Sequence, residues 1–131
     1  MPAKTYDPSD VSVIVDNVYI TGLGEDMVEV VKDEDGYEPK VGAQGDVIIA
    51  KNNNKLGTIT ITVQSSSPAI AHLDRLANSG RLVPVSVIYS GDPKETSSAT
   101  EAYVKKPADR TYGKSAEDRE YELQCLDLKM E

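Results

Sequence analysis

The 131-residue chain contains no Trp and no Phe, so its seven Tyr are the only aromatics and the rest of any core must be aliphatic. Cys125 is the only cysteine, which excludes an internal disulfide and a Cys-based metal cluster. The lone His72 likewise excludes a multi-histidine site. No stretch approaches the roughly 18 apolar residues of a membrane span, so the chain is not expected to insert into a membrane. The first residues, Met1 to Tyr6, lack the apolar run of a signal peptide. Synthesis and assembly in a cytoplasm are therefore expected.

Positive charge is also scarce. Fourteen Lys and Arg stand against 22 Asp and Glu, a net charge of −8. Gripping nucleic acid rests on clustered Lys and Arg, and the sign here is wrong. Acidity suits ordinary solubility, and it equally suits repulsion of a polyanion that must pass without sticking. The length fits one domain, residues 1–131, near the common size of roughly 100–150 residues. A chain this long buries close to two-thirds of its unfolded surface, so no disulfide or metal is needed for folding.

What is present reads mostly as strand. Val11 to Val15 is β-branched, and Asp16-Asn17 turns it into Val18 to Thr21, a hairpin. Gly22 to Gly24 is expected to break that strand, and Met27 to Val31 to resume one. Leu56 to Val63 is the clearest element. Thr58, Thr60 and Thr62 alternate with Ile59, Ile61 and Val63, giving one hydroxylic and one apolar face. The apolar face belongs on the core, and the threonines must meet water or a partner's polar surface.

Residues 32–54 differ in character. Asp33 to Gly36, Pro39 and Gly42 are turn formers in a charged setting, Val47 to Ala50 is a short apolar run, and Asn52 to Asn54 closes it. The segment reads as a protruding loop or β-arm that meets another subunit, or as an ordinary mobile surface loop. One helix is expected, with Ser67 as its cap, Pro68 as its first residue and Gly80 just past its end. Ile70, Leu73, Leu76 and Ala77 then form a single apolar stripe. Leu82 to Ser90 is a strand whose Pro84 points to an edge or a strand beginning. Ser98 to Lys105 follows as its partner, and Tyr121 to Leu128 is a last strand with broken alternation. Seven or eight strands with one helix suit an antiparallel sandwich or barrel with the helix on one side.

No chemistry-bearing constellation emerges. Asp33, Glu34 and Asp35 resemble a calcium loop only briefly, because Val31 and Gly42 stand where oxygen ligands are required. A solvated acidic turn is the better reading. His72 lies beside the helix stripe, Cys125 reads as a small buried hydrophobe, and neither has the partners a nucleophile needs. No catalytic, cofactor or metal residue is assigned, no cofactor is expected, and the chain does not read as an enzyme. Charge placement is more informative. From Glu25 to Glu38 there are seven acids and the single base Lys32, while bases appear later, at Lys51, Arg75, Arg81, Lys105 and Arg119 among others. Such asymmetry suits head-to-tail pairing between copies, or simply an ordinary mixed surface.

Several segments in order resemble the small tail-tube proteins of contractile-tailed bacteriophages. They are Thr5 to Pro8 with Val11 to Val15 and Tyr19 to Gly22; Val30 to Asp35, Lys40 to Gly42, Gly45-Asp46 and Lys51 to Asn53; and Gly57 to Thr62, Ser66 to Pro68, Lys105 to Pro107 and Asp118 to Glu120. The resemblance covers nearly the whole chain. It implies a β-sandwich or barrel with a flanking helix, forming stacked hexameric rings whose strands join into one barrel around a lumen. It also implies a surrounding sheath protein, a baseplate hub or initiator, a tail terminator, a place in the virion tail, and DNA passing through without specific binding. On that expectation Glu29, Thr58, Thr60 and Thr62 are candidates to face the lumen. Asp33, Glu34, Asp35, Tyr37, Lys40, Val47, Ile49 and Lys51 are candidates for the arm that bridges subunits or rings. Alternative readings are a tube subunit of a tailocin or type VI-like secretion system, and a minor tail adaptor or binding module.

Overall fold

A computed structural model describes residues 3–131. After a short 3-10 turn at Pro8–Asp10 come β1 (Val11–Val15), β2 (Val18–Tyr19), β3 (Leu23–Lys32), β4 (Tyr37–Val41), β5 (Val47–Lys51) and β6 (Gly57–Val63). The helix α1 (Ala69–Ser79) is followed by β7 (Val83–Tyr89), β8 (Glu95–Val104), β9 (Arg119–Cys125) and β10 (Lys129–Met130). The main antiparallel sheet runs β2-β1-β7-β8-β9-β6-β3, with β10 beside β8; β4 and β5 form a separate two-stranded sheet. The architecture is therefore mainly β with one helix, as expected. The expected barrel is not closed by one chain, because the sheet ends at β2 on one side and β3 on the other.

One face of this sheet is apolar from β1 to β6. Val13 and Val15, Val85, Val104, Leu123, Ile59 and Ile61 join Leu73 and Leu76 of α1 in a single core. The β-branched residues that favour strands are thus also the ones that fill the interior. The helix begins one residue later than expected. Pro68 occupies the cap position, and the Ala69 N–H donates to Ser67 Oγ at 3.1 Å. Gly80 ends α1 in the left-handed region at φ 64°, and its N–H donates to Leu76 O at 3.1 Å. The buried stripe is Ala69, Leu73 and Leu76, with Ile70 and Ala77 packed at its margin.

Asp16 and Asn17 both have positive φ, 51° and 63°, and join β1 to β2 with Val15 opposite Val18. That is the primed two-residue turn that matches strand twist. The strand expected to reach Thr21 stops at Tyr19; Gly22, at φ 68°, makes the expected break, and β3 already begins at Leu23, inside the expected Gly22–Gly24 interval. Gly24 is there for space. A Cβ at that position would lie 2.6 Å from Asp118 Oδ2 and 2.9 Å from Thr62 Cγ2. The register of β3 against β6 shifts between Leu23 and Val28, and Met27 takes φ 38°, so the irregularity is absorbed as a bulge.

Pro84 lies second in β7, an interior strand, so the strand-beginning reading holds and the edge reading does not. The pairing of β7 with β8 is irregular between Val83 and Val85, at the residue that has no N–H to give. The last expected strand ends at Cys125, short of Leu128, and a further strand follows it. β9 alternates cleanly to Cys125, the chain then leaves the sheet, and β10 rejoins β8 opposite Ser97 and Ser98. Asp127 fills the interval, accepting the N–H groups of Thr100 at 3.0 Å and Glu101 at 3.2 Å.

Candidate assembly surfaces

The face of the sheet turned away from the core carries a polar row. In the register of β3, β6 and β9, Glu29 stands opposite Thr60, and Thr60 opposite Glu122. Directly opposed residues share a face, so two acids flank a threonine across three strands. Lys105 extends the row, with its Nζ 3.2 Å from Glu122 Oε2. The next row places Val31, Thr58 and Gln124 together, and Thr62 stands opposite Glu120. Glu29 and the threonines thus share one face.

Glu120, Glu122 and Gln124 belong to the same wall and were not anticipated. Their signal was legible: they alternate with Tyr121, Leu123 and Cys125, the same period-two pattern as the threonine strand. One expectation needs correcting. Thr62 is buried at 9% exposure, crowded with Asp118 against Gly24, and Thr58 and Thr60 are the more open threonines of this face. Beside this wall an open cleft of about 700 Å³ includes Asp26, Glu117, Asp118, Glu120 and Glu122 in its lining, with Lys105 and Lys106. Among the described residues no three His, Cys, Asp or Glu side chains are grouped so as to hold a metal ion.

The 32–54 segment is a two-stranded arm. β4 and β5 pair with each other alone, with Tyr37 opposite Lys51, Pro39 opposite Ile49 and Val41 opposite Val47. Gly42 and Asp46 close its tip through a 2.7 Å N–H to carbonyl bond. Of the expected arm residues, Tyr37, Val47, Ile49 and Lys51 fall on one face and Lys40 on the other. Asp33, Glu34 and Asp35 lie at the root, outside both strands.

That root is tied to the wall. Thr58 Oγ1 donates to Asp33 Oδ1 at 2.9 Å, and Gln124 Nε2 donates to Asp33 Oδ2 at 3.0 Å. The bonds from Gln124 and Thr58 hold the Asp33 carboxyl below the usual carboxylate range. Asn52 Nδ2 donates to Glu34 Oε2 at 2.7 Å, and the Asn52 N–H to Gly36 O at 2.8 Å, closing the base of the arm. Lys32 Nζ donates to the carbonyl of Leu128. A candidate wall residue, Thr58, is therefore also an anchor of the arm.

A few other titratable side chains are bonded or buried within the fold. His72 is half-buried with Nε2 3.1 Å from Val15 O. The Cys125 thiol is fully buried, and burial pushes its pKa up to about 11. Tyr121 donates to Asp74 Oδ1 at 2.7 Å, and Arg110 approaches Asp74 Oδ2 at 3.2 Å, linking β9, α1 and the 105–118 connection.

An open acidic sheet with one helix and a projecting hairpin is a fold shared with proteins of contractile injection machines. The chain is similar to one in the sheath–tube complex of the extracellular contractile injection system PVC in its extended state (TM-score 0.65, 14% identity, 92% of this chain and 87% of that one). It is similar to the tube-terminating cap of the anti-feeding prophage (TM-score 0.67, 7% identity, 100% and 95%). It is also similar to the PVC sheath/tube terminator (TM-score 0.66, 12% identity, 98% of each). At these identities the likeness is one of fold. No curated protein matches the chain. Residues 11–131 match the family model described as the bacteriophage PhiTE tail tube protein, and the chain belongs to that family. It is a structural protein, a tail tube subunit.

Proposed function

We propose that this subunit joins copies of itself into rings, six to a ring, which stack as the inner tube of a contractile phage tail and conduct the genome during ejection. The observation that carries this reading is the open sheet, whose two edge strands, β2 and β3, have no outer partner among the described residues. Exposed edges invite pairing, and closure through neighbouring copies removes them. Around such a ring the Glu29, Thr58, Thr60 and Glu122 face lines the lumen, where carboxylates repel the DNA backbone and hydroxyls keep the wall wet. Arm residues Asp33, Glu34, Asp35, Tyr37, Lys40, Val47, Ile49 and Lys51 bridge to another copy. The outer surface of the tube meets the sheath, and its ends meet the baseplate initiator and the terminator. Synthesis takes place in the host cytoplasm, and the role is architectural, without catalysis.

Cryo-electron microscopy of the concentrated protein, with and without an initiator complex, tests this. Sixfold rings stacked into tubes with Glu29, Thr60 and Glu122 on the bore are the expected result. A monomer under every condition would overturn the ring, and those three residues in dry contacts would overturn the lumen assignment. The likeness to two terminating proteins favours a second reading, a ring that caps a tube. Copy number per particle separates them: one ring for a cap, many for a tube.

A further inference from the structure

Asp35 is the only aspartate in the chain that is followed by glycine, and no asparagine is followed by one. Asp35 and Gly36 are both exposed and lie outside β3 and β4, in the root of the arm. A Cβ added at Gly36 would meet nothing within 4 Å. Among the described residues the Gly36 N–H donates to no backbone carbonyl, whereas the Gly36 carbonyl accepts the Asn52 N–H at 2.8 Å. An unengaged backbone nitrogen, with no side chain to shield it, therefore follows an open carboxyl.

That arrangement supports one reaction. The Gly36 nitrogen attacks Asp35 Cγ, a C–N bond forms, and a carboxyl oxygen departs as water, leaving a five-membered cyclic imide. Water then opens the ring. Cleavage of the new Cγ–N bond restores aspartate. Cleavage of the original peptide bond leaves Gly36 attached through Cγ, and the former main-chain carbonyl becomes the free carboxylate. One water leaves and one returns, nothing is oxidised or reduced, and mass and charge are unchanged. Asp46, exposed in the same arm, lacks the second half of the pair. It precedes Val47, a stiff β-branched residue that already belongs to β5.

We propose that Asp35 is a site of slow covalent self-modification, converting to isoaspartate in the free subunit through attack by the Gly36 nitrogen. The position matters because Asn52 brackets it. Asn52 Nδ2 donates to Glu34 Oε2 at 2.7 Å, and the Asn52 N–H donates to Gly36 O at 2.8 Å. Isoaspartate inserts one extra main-chain carbon between these two anchors, where consecutive Cα atoms otherwise stand about 3.8 Å apart. The two bonds to Asn52 then no longer fit together, and the base of the arm loosens. This concerns the single chain and stands whether or not copies assemble.

The test holds the parent protein for weeks in warm neutral buffer, digests it, and reads the peptides by electron-transfer fragmentation, which separates the two isomers of equal mass. Isoaspartate is expected to accumulate at residue 35 and to stay at background at residue 46. Gly36→Ala fits the open space without a left-handed φ, and it is expected to slow accumulation about tenfold or more. Asp35→Asn is expected to speed it, because ammonia leaves in the same ring closure more readily than water. An unmodified parent would overturn the proposal, and an unmodified Asp35→Asn beside it would trace the failure to a backbone that cannot close the ring. Equal accumulation at residues 35 and 46, or in Gly36→Ala, would overturn the role of Gly36. The separated isoaspartate form is expected to lose amide-exchange protection at Asn52 while β6 keeps its own. Unchanged protection at Asn52 would overturn the loosening of the arm's base.

Discussion

Replacing Tyr121 by Phe deletes one oxygen from a side chain that is 1% exposed and leaves the packing volume nearly unchanged. The lost hydroxyl donates to Asp74 Oδ1 at 2.7 Å. A hydrogen bond to a charged acceptor contributes about 1.5–3 kcal/mol. The Asp74 side chain keeps 15% exposure and its Arg110 partner, so water and Arg110 recover part of the loss. The expected destabilisation is about 1–2 kcal/mol. With a urea slope of about 1–3 kcal/mol per M, the unfolding midpoint falls by about 0.3–2 M. The measurement is urea unfolding of the dilute monomer followed by circular dichroism.

Alkaline pH supplies an independent check on the same bond. Burial first, then the hydrogen bond and charge of Asp74, raises the Tyr121 pKa above its ordinary 10.0. A raised value means the native state keeps the phenol neutral where the unfolded chain ionises it. The stabilisation from this group is complete below pH 10.0 and is lost as pH rises from there towards the native value. The advantage of the parent over Tyr121→Phe should therefore shrink above pH 10.0. A variant within about 0.3 kcal/mol of the parent at neutral pH would refute the reasoning, because a hydrogen bond to a charged acceptor contributes several times that. So would a gap that stays constant into alkali.

Three further outcomes follow from the packing and the hydrogen bonds. Gly57→Ala places a methyl on Leu128 Cδ2 and 3.0 Å from Val31 O, so a loss of about 1–3 kcal/mol in urea unfolding is expected. The Asp127 carboxyl is held below its ordinary 3.8, foremost by the Thr100 hydroxyl. Its contribution is therefore present above pH 3.8 and lost as pH falls through the lower native value, and Asp127→Asn should cost under about 1 kcal/mol at neutral pH and nothing in strong acid, as acid titration of unfolding would show. Asp33→Ala removes the acceptor of both Thr58 and Gln124, so hydrogen exchange should quicken at residues 33–36 and 52–56 while the β4–β5 ladder keeps its protection. Unchanged exchange at the root would show that the arm is held by other means.

The sequence by itself determined the features that depend on neighbours along the chain. The Asp16-Asn17 turn, the Thr58–Val63 alternation, the Ser67-to-Gly80 helix and the existence of an arm before Asn54 were all legible, because periodicity and turn chemistry act over a few residues. Family resemblance was legible for the same reason, as an order of short segments. The Glu120–Gln124 alternation is equally local, but periodicity reads Tyr121 to Leu128 as one strand with broken alternation, whereas β9 ends at Cys125 and Asp127 lies in the interval before β10.

Only the tertiary structure decided which strands are neighbours. Nothing local states that β1 pairs with β7, that β6 lies between β3 and β9, or that Glu29 faces Glu122 across Thr60. Those are pairings between residues far apart in sequence, fixed by the joint burial of all the apolar faces in one core. The same closure buries Thr62 against Gly24 and Asp118, ties Asp33 to Thr58 and Gln124, and brings Tyr121 to Asp74. Periodicity tells each residue which side of its own strand it occupies. The neighbour it meets on that side is chosen by the fold.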